Sequence, residues 1–198
     1  MDKILLNKSV ETSIKKEIEE HIEVSNLLKE KICDIKSISK TIICALADKK
    51  KVLTCGNGGS ASDSSHFASE IVGRYQKDRK GYPSINLASE TSAITAIGND
   101  YGFENIFSRQ VEAFGNQGDI LVVISTSGNS INLVNAAISA KNKGLKVVGL
   151  LGRNGGKLLG LVDENVTIKS NRTCRIQEMH SIIIHIICDL FDEIDLKN

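Results

Sequence analysis

The sequence predicts an α/β protein built on a parallel sheet, and three observations carry that expectation. From Lys51 onward short β-branched runs alternate with helical patterns, the order that parallel strands joined by crossover helices require. Two of the runs stop at loops of glycine, serine and asparagine before a helix begins: Val52–Cys55 into Gly56–Ser60 (GNGGS), and Ile120–Ile124 into Ser125–Ser130 (STSGNS). No proline- or serine-rich linker divides the 198 residues, and such a length suits one domain that buries about two-thirds of its unfolded surface.

The opening from about Val10 to Ala47 is rich in Lys and Glu, with Ile and Leu at steps of three and four and no Gly or Pro. Two helices are expected there, so residues up to about 48 form a helical extension ahead of the sheet within a single domain over 1–198. Strands are expected at Lys51–Cys55, Ser84–Leu87, Ile120–Ser125, Lys146–Leu151 and Asn165–Ile168, the second immediately after the sole proline, Pro83. The last helix, from Arg175 to about Ile194, carries isoleucine almost all round. That is more apolar than a surface helix with one buried face should be, so it is expected to pack on both sides.

Composition narrows the function. Twenty-five basic residues against 24 acidic leave a formal charge of +1, with no run of either sign that would serve a nucleic acid. The five cysteines, Cys33, Cys44, Cys55, Cys174 and Cys188, form no CxxC and no framework, and the first residues, MDKILLNKSVE, do not read as a signal sequence. A reducing cytoplasm is the expected compartment. The longest apolar stretch, Ile182–Cys188, is broken by His185 and falls far short of the roughly 20 residues that span a bilayer.

The two Gly/Ser loops suit an anion. At a strand-to-helix junction the first helical amides and the positive end of the helix dipole point at one place. In an open parallel sheet such loops open on the same edge. Ser125, Thr126, Ser127 and Ser130 add hydroxyls, a set that fits a compact phosphomonoester. Glycine and serine also serve tight turns and helix caps without any ligand. Neither loop has the spacing of a dinucleotide-binding GxGxxG or ends in the GK[ST] of a nucleoside-triphosphate loop, so no nucleotide cofactor is expected.

Acid–base groups follow the first loop. His66 and Glu70 stand four residues apart, hence one turn apart on one helical face near the expected pocket mouth; the same spacing also serves a solvent-facing pair. Moving a carbonyl between neighbouring carbons needs one group to take a proton from carbon and another to serve the oxygens, and a carboxylate with an imidazole suffices. His180 and His185 lie on the apolar last helix, where a histidine can equally be a hydrogen-bonded core residue. Cys55 reads as a buried, inert thiol. Arg74, four residues beyond Glu70, reads either as that carboxylate's surface partner or as a cation for a neighbouring subunit's phosphate.

Four segments, GNGGSASDSSHFASEIVGRY, IGNDYGFENIFSRQVEA, STSGNS and RIQEMHSIIIH, together resemble the phosphoheptose isomerases (sedoheptulose 7-phosphate isomerases) of the sugar isomerase, or SIS, superfamily. The likeness runs from about Lys51 to Ile187. It implies a flavodoxin-like three-layer α/β/α sandwich with a five-stranded parallel sheet, a homotetramer with active sites at subunit interfaces, and interconversion of sedoheptulose 7-phosphate and D-glycero-D-manno-heptose 7-phosphate for bacterial nucleotide-activated heptose. By the same resemblance Asn57, Gly58, Gly59 and Ser60 line the sugar, Ser125, Thr126, Ser127 and Ser130 hold the phosphate, and Asn99, Asp100 and Gln177 add polar contacts. Glu70 is the implied base with His185 as its partner, and His66, Glu70, Gln177 and His185 are the implied ligands of one zinc ion.

Some members carry Asp where this chain has Cys174. Related SIS tetramers bind proteins or sense phosphosugars without catalysis, which is the alternative function; isomerisation of a six-carbon or amino-sugar phosphate is a third. Gln177 and His185 lie eight residues apart, about 12 Å along one unbroken helix, too far for both to reach one ion at about 2 Å without bending. The expectation is a site completed at a subunit boundary, where the last helices also pack together.

Overall fold

The computed structural model describes residues 3–193, with side chains from Ser9 onward; the expected end of the last helix at Ile194 lies outside the described residues. The helical opening is α1 (Lys3–Asn26), a 3-10 turn over Leu27–Lys31, and α2 (Ile32–Ala47). Leu28, Ile35, Ile38, Ile42, Ile43 and Leu46 of this region are buried, at the three- and four-residue steps that put them on one face. Farther from the sheet, α1 is tied to the start of the last helix by Glu17, whose carboxylate meets Arg172 at 3.0 Å and Arg175 at 2.9 Å.

Five parallel strands follow: β1 (Val52–Gly56), β2 (Ser84–Asn86), β3 (Ile120–Ser125), β4 (Lys146–Gly152) and β5 (Glu164–Ile168). Their order is β2-β1-β3-β4-β5, the flavodoxin-like winding expected from the resemblance. Between them run α3 (Gly59–Val72), α4 (Thr91–Tyr101), α5 (Ser108–Phe114) and α6 (Ile131–Asn142), and α7 (Thr173–Glu193) closes the fold. The edge strand β2 ends one residue before Leu87, which turns instead into the core beneath α5.

The period-2 alternation of strand side chains divides the interior into two cores. Val52, Ile120, Val122, Ile124, Val148, Leu150, Val166 and Ile168 face α2, α3 and α7. Leu53, Cys55, Leu121, Val123, Val147 and Leu151 face α5 and α6. As expected, α7 packs on more than one side: Ile176, Met179, Ile183, Ile184 and Ile187 are buried, and Ile182, Ile186 and Leu190 lie half-buried against the same core. No helix among the described residues is long and apolar enough to cross a membrane.

In this strand order the chain switches direction across the sheet between β1 and β3. Ligands gather at such switch points, beyond the carboxyl ends of the strands. The two Gly/Ser loops are the segments that leave β1 and β3 there.

Candidate active site

Asn57 and Asn132 join the two loops. The Asn57 Nδ2 donates to Asn132 Oδ1 at 2.9 Å, and the Asn132 Nδ2 returns a bond to Asn57 Oδ1 at 2.9 Å. Asn132 is buried in the first turn of α6, and the sequence reading passed over it. Its signal was there: a polar amide at a position whose helical neighbours, Leu133, Val134 and Ala136, all face the core. Each amide still has one N–H to offer a ligand.

Asn57, Ser60, Ser125, Thr126, Ser127 and Ser130 line a pocket of about 80 Å³ together with Ile124 and Leu133. That volume corresponds to about three waters, enough for a small oxyanion group and little else. The loop is braced from within: Ser125 Oγ accepts from the Gly128 amide at 3.0 Å and Ser127 Oγ from the Asn129 amide at 3.2 Å. Both hydroxyls therefore keep their protons to donate. Ser130 caps α6 through its backbone alone, so its hydroxyl also stays available. No cation among the described residues lines the pocket; an anion there is met by hydroxyls, amides and the helix dipole.

A second chain of bonds braces the loop from outside. Gly128 has φ +66°, and its carbonyl accepts from the Leu158 amide at 3.0 Å. A Cβ on Gly128 would fall 1.9 Å from the Gly155 carbonyl oxygen. Only glycine allows the loop after β3 to lie this close to the loop after β4.

Beside this pocket α3 and α7 run in the same direction, joined at successive levels. A Cβ on Gly59 would lie 2.3 Å from Gln177 Nε2, so the two touch at the start of α3. Ser181 Oγ donates to Asp63 Oδ1 at 3.0 Å. Two turns along, His185 Nε2 stands 3.3 Å from His66 Nε2, with the rings edge to face. His66 Nε2 also lies 3.4 Å from Glu70 Oε1. The expected acid–base pair thus shares one neighbour, His66. Asp63 was also missed from sequence. Its Oδ2 is buried without a partner among the described residues, and burial raises its carboxyl above the ordinary range, against the opposing effects of the Ser181 hydroxyl and His66.

His180 is the core histidine of the pair on α7. It is fully buried, its Nε2 meets the Leu151 carbonyl at 3.1 Å, and burial pushes its pKa down to about 4. Cys55 is likewise buried, and desolvation drives its thiol far above the usual range.

One expectation comes out differently, the pairing of Arg74 with Glu70. The helix carrying Glu70 ends at Val72, so Arg74 is not on its next turn; it is exposed and pairs with no carboxylate among the described residues. Asn99 and Asp100 sit exposed on the last turn of α4, bonded to each other at 2.8 Å, about 12 Å along the helix from the end that faces the site. They do not join the loop residues within one chain. Cys174 is exposed in the first turn of α7.

The donor types fit zinc: two imidazoles, a carboxylate and an amide oxygen. The His66–His185 and His66–Glu70 separations match the roughly 3.3 Å edge of a tetrahedron with bonds of about 2.0–2.1 Å. Yet among the described residues no three His, Cys, Asp or Glu side chains converge on one point, and Gln177 contacts Gly59 two turns away. His66 stands in the middle of an open row.

Comparison with known proteins shows the family. Residues 18–152 match the SIS domain, and a phosphoheptose isomerase from Nitratiruptor sp. is 53% identical over 155 residues, 77% of this chain and 83% of that one. The chain belongs to the SIS-domain phosphoheptose isomerases. It is therefore an aldose–ketose isomerase by family. A phosphoheptose isomerase from Sulfurimonas denitrificans is 47% identical over 183 residues, covering 91% of this chain and 94% of that one. Among solved structures, a phosphoheptose isomerase from Neisseria gonorrhoeae superposes with a TM-score of 0.89 at 38% identity, over 93% of this chain and all of that one. One from Francisella tularensis gives 0.86 at 35% identity, over 98% of this chain.

Proposed function

We propose that the chain interconverts sedoheptulose 7-phosphate and D-glycero-D-manno-heptose 7-phosphate through an enediolate, in the cytoplasm, as a step toward nucleotide-activated heptose. The observation that carries this is the position of His66, between Glu70 and His185 and two turns from the hydroxyl-lined pocket. Ser125, Thr126, Ser127 and Ser130 hold the phosphate. Asn57, Gly58, Gly59, Ser60 and Gln177 line the chain of carbons that leads from it toward α7. Anchoring the far end converts proton transfer at C1 and C2 into a reaction within one bound species.

Glu70 then takes the proton from carbon, and His185 moves a proton between the two oxygens as the carbonyl shifts. His66 orients both groups. One zinc ion is proposed with His66, Glu70, Gln177 and His185 as its ligands, an open row within one chain that assembly at a subunit boundary would have to draw together, and it would supply a Lewis acid to the substrate oxygens; metal analysis of the purified protein, with activity before and after chelation, tests its presence and its need. Asn99 and Asp100, exposed and away from their own loop, are proposed to serve a neighbouring protomer's site in a homotetramer.

Purified protein incubated with sedoheptulose 7-phosphate should yield an aldose phosphate. Glu70→Gln should lower turnover by roughly 10²–10⁴-fold, the usual contribution of one acid–base group, while still binding the ketose. Turnover unchanged in Glu70→Gln would remove this carboxylate from the mechanism.

A further inference from the structure

Glu70 and His185 stand on different helices, so their separation depends on how the end of α3 is held against α7. The holding group is a buried ion pair, Arg79 with Asp192. Asp192 lies seven residues after His185, on the same face of α7. Its Oδ2 accepts from the Gln76 amide at 2.7 Å and the Lys77 amide at 2.8 Å, and its Oδ1 from Arg79 Nε at 3.0 Å. The pair is nearly sealed, with side-chain exposures of 13% for Arg79 and 4% for Asp192. Burial alone would raise the Asp192 carboxyl; the Lys77 and Gln76 amides and the Arg79 guanidinium outweigh it and hold it low.

The guanidinium's other nitrogens reach the end of α3. Nη2 donates to the main-chain carbonyl of Glu70 itself at 2.8 Å, and Nη1 to those of Ile71 at 3.2 Å and Gly73 at 3.3 Å. Glu70 and Ile71 lie in the last turn of α3, whose carbonyls have no intrahelical donors, and Gly73 stands just past its end. One arginine therefore caps the last turn of α3 and fastens it to α7. The short loop so pinned, 73–79, lays Tyr75 on His185, with ring centroids 5.7 Å apart and planes inclined by 27°.

We propose that Arg79 and Asp192 are positioning residues for the isomerisation: together they fix the turn that carries Glu70 and hold Tyr75 against the His185 ring. This rests on the acid–base roles proposed above. The geometry makes a separable claim, that the His185 ring depends on a pair two turns away, and that claim can be read without turnover.

The test uses the full-length protein and Arg79→Lys, Asp192→Asn and Tyr75→Leu, with Lys141→Ala as control, since Lys141 pairs with Asp163 on the surface at 3.1 Å far from either helix end. Arg79→Lys keeps the charge opposite Asp192 but loses the fork that caps α3. Expected are a fall in kcat of about 10–100-fold for Arg79→Lys and Asp192→Asn, in line with misplacement by about 1 Å, KM within about twofold, and unchanged inhibition by inorganic phosphate. Ring resonances of His185 in 13C-histidine-labelled protein should move in all three variants and stay put in Lys141→Ala. If Asp192→Asn does not fold, Arg79→Lys and Tyr75→Leu decide the matter.

Unmoved His185 resonances, or a kcat loss that merely tracks the fall in melting temperature along the same line as Lys141→Ala, would overturn the proposal. A wild-type protein inert toward sedoheptulose 7-phosphate whose His185 resonances still respond to Arg79→Lys would sink the functional reading and leave the positioning intact.

Discussion

Alanine at position 59 puts one methyl carbon where the Gln177 amide now lies. The added Cβ would stand 2.3 Å from Nε2, 2.9 Å from Cδ and 3.0 Å from Oε1, whereas an unstrained contact needs about 3.5 Å. The obstacle is the tip of a flexible side chain, so Gln177 withdraws by about 1 Å and the backbone stays. Gly59 is not among the glycines with positive φ, and alanine in a helix is favoured over glycine by up to about 1 kcal/mol. The expected variant is thus as stable as the wild type or slightly more so, yet roughly 10²-fold slower in kcat/KM, because a misplacement of 1 Å has that effect even when it starts away from the reacting atoms. Thermal unfolding and an aldose–ketose assay run on the same preparations separate the two quantities. A second arm places Gly59→Ala in a Gln177→Ala background, where the methyl has nothing left to displace and should change nothing further. Wild-type activity in Gly59→Ala, or an undiminished loss in the double variant, would refute the reasoning.

His180 makes stability depend on pH. Its folded pKa is depressed to about 4 from an ordinary 6.5, so the unfolded chain binds the extra proton first; stability is complete above pH 6.5 and declines as pH falls toward 4. The gap corresponds to about 3 kcal/mol. Between pH 7 and pH 4.5 about 2 kcal/mol of that is lost, so urea unfolding at the two pH values should show that much of the acid sensitivity missing from His180→Leu, and an equal acid loss in both proteins would contradict it. Gly128→Ala forces a positive φ on a residue with a Cβ and drives that Cβ into the Gly155 carbonyl, so it should cost roughly 1–3 kcal/mol and abolish inhibition by inorganic phosphate. Retention of that inhibition would place the anion elsewhere.

The strands and the two loops were legible because their signal is local. β1 and β3 start or stop within one residue of the expected bounds, since a β-branched run followed by Gly and Ser specifies its own turn. What escaped the sequence were contacts joining residues more than 70 positions apart. Asn57 meets Asn132, Ser181 meets Asp63, and Arg79 meets Asp192, and no periodicity within one segment announces its partner in another. The pairing of Arg74 with Glu70 failed for a different reason: a helical spacing was extended past Gly73, where the helix stops. The choice of His185 over His180 needed the family motif, and burial supplies the physical ground for it, because His180 is spent on the Leu151 carbonyl.

The parallel alignment of α3 and α7 also constrains how genes for this fold can drift. One inserted or deleted residue turns everything beyond it by about 100°, so a single-codon length change between Gly59 and Glu70, or between Gln177 and Asp192, would swing the remaining partners out of reach at one stroke. Point changes disturb one level at a time. Variation in chain length should therefore collect in the connections, while the spans from 59 to 70 and from 177 to 192 keep a fixed count.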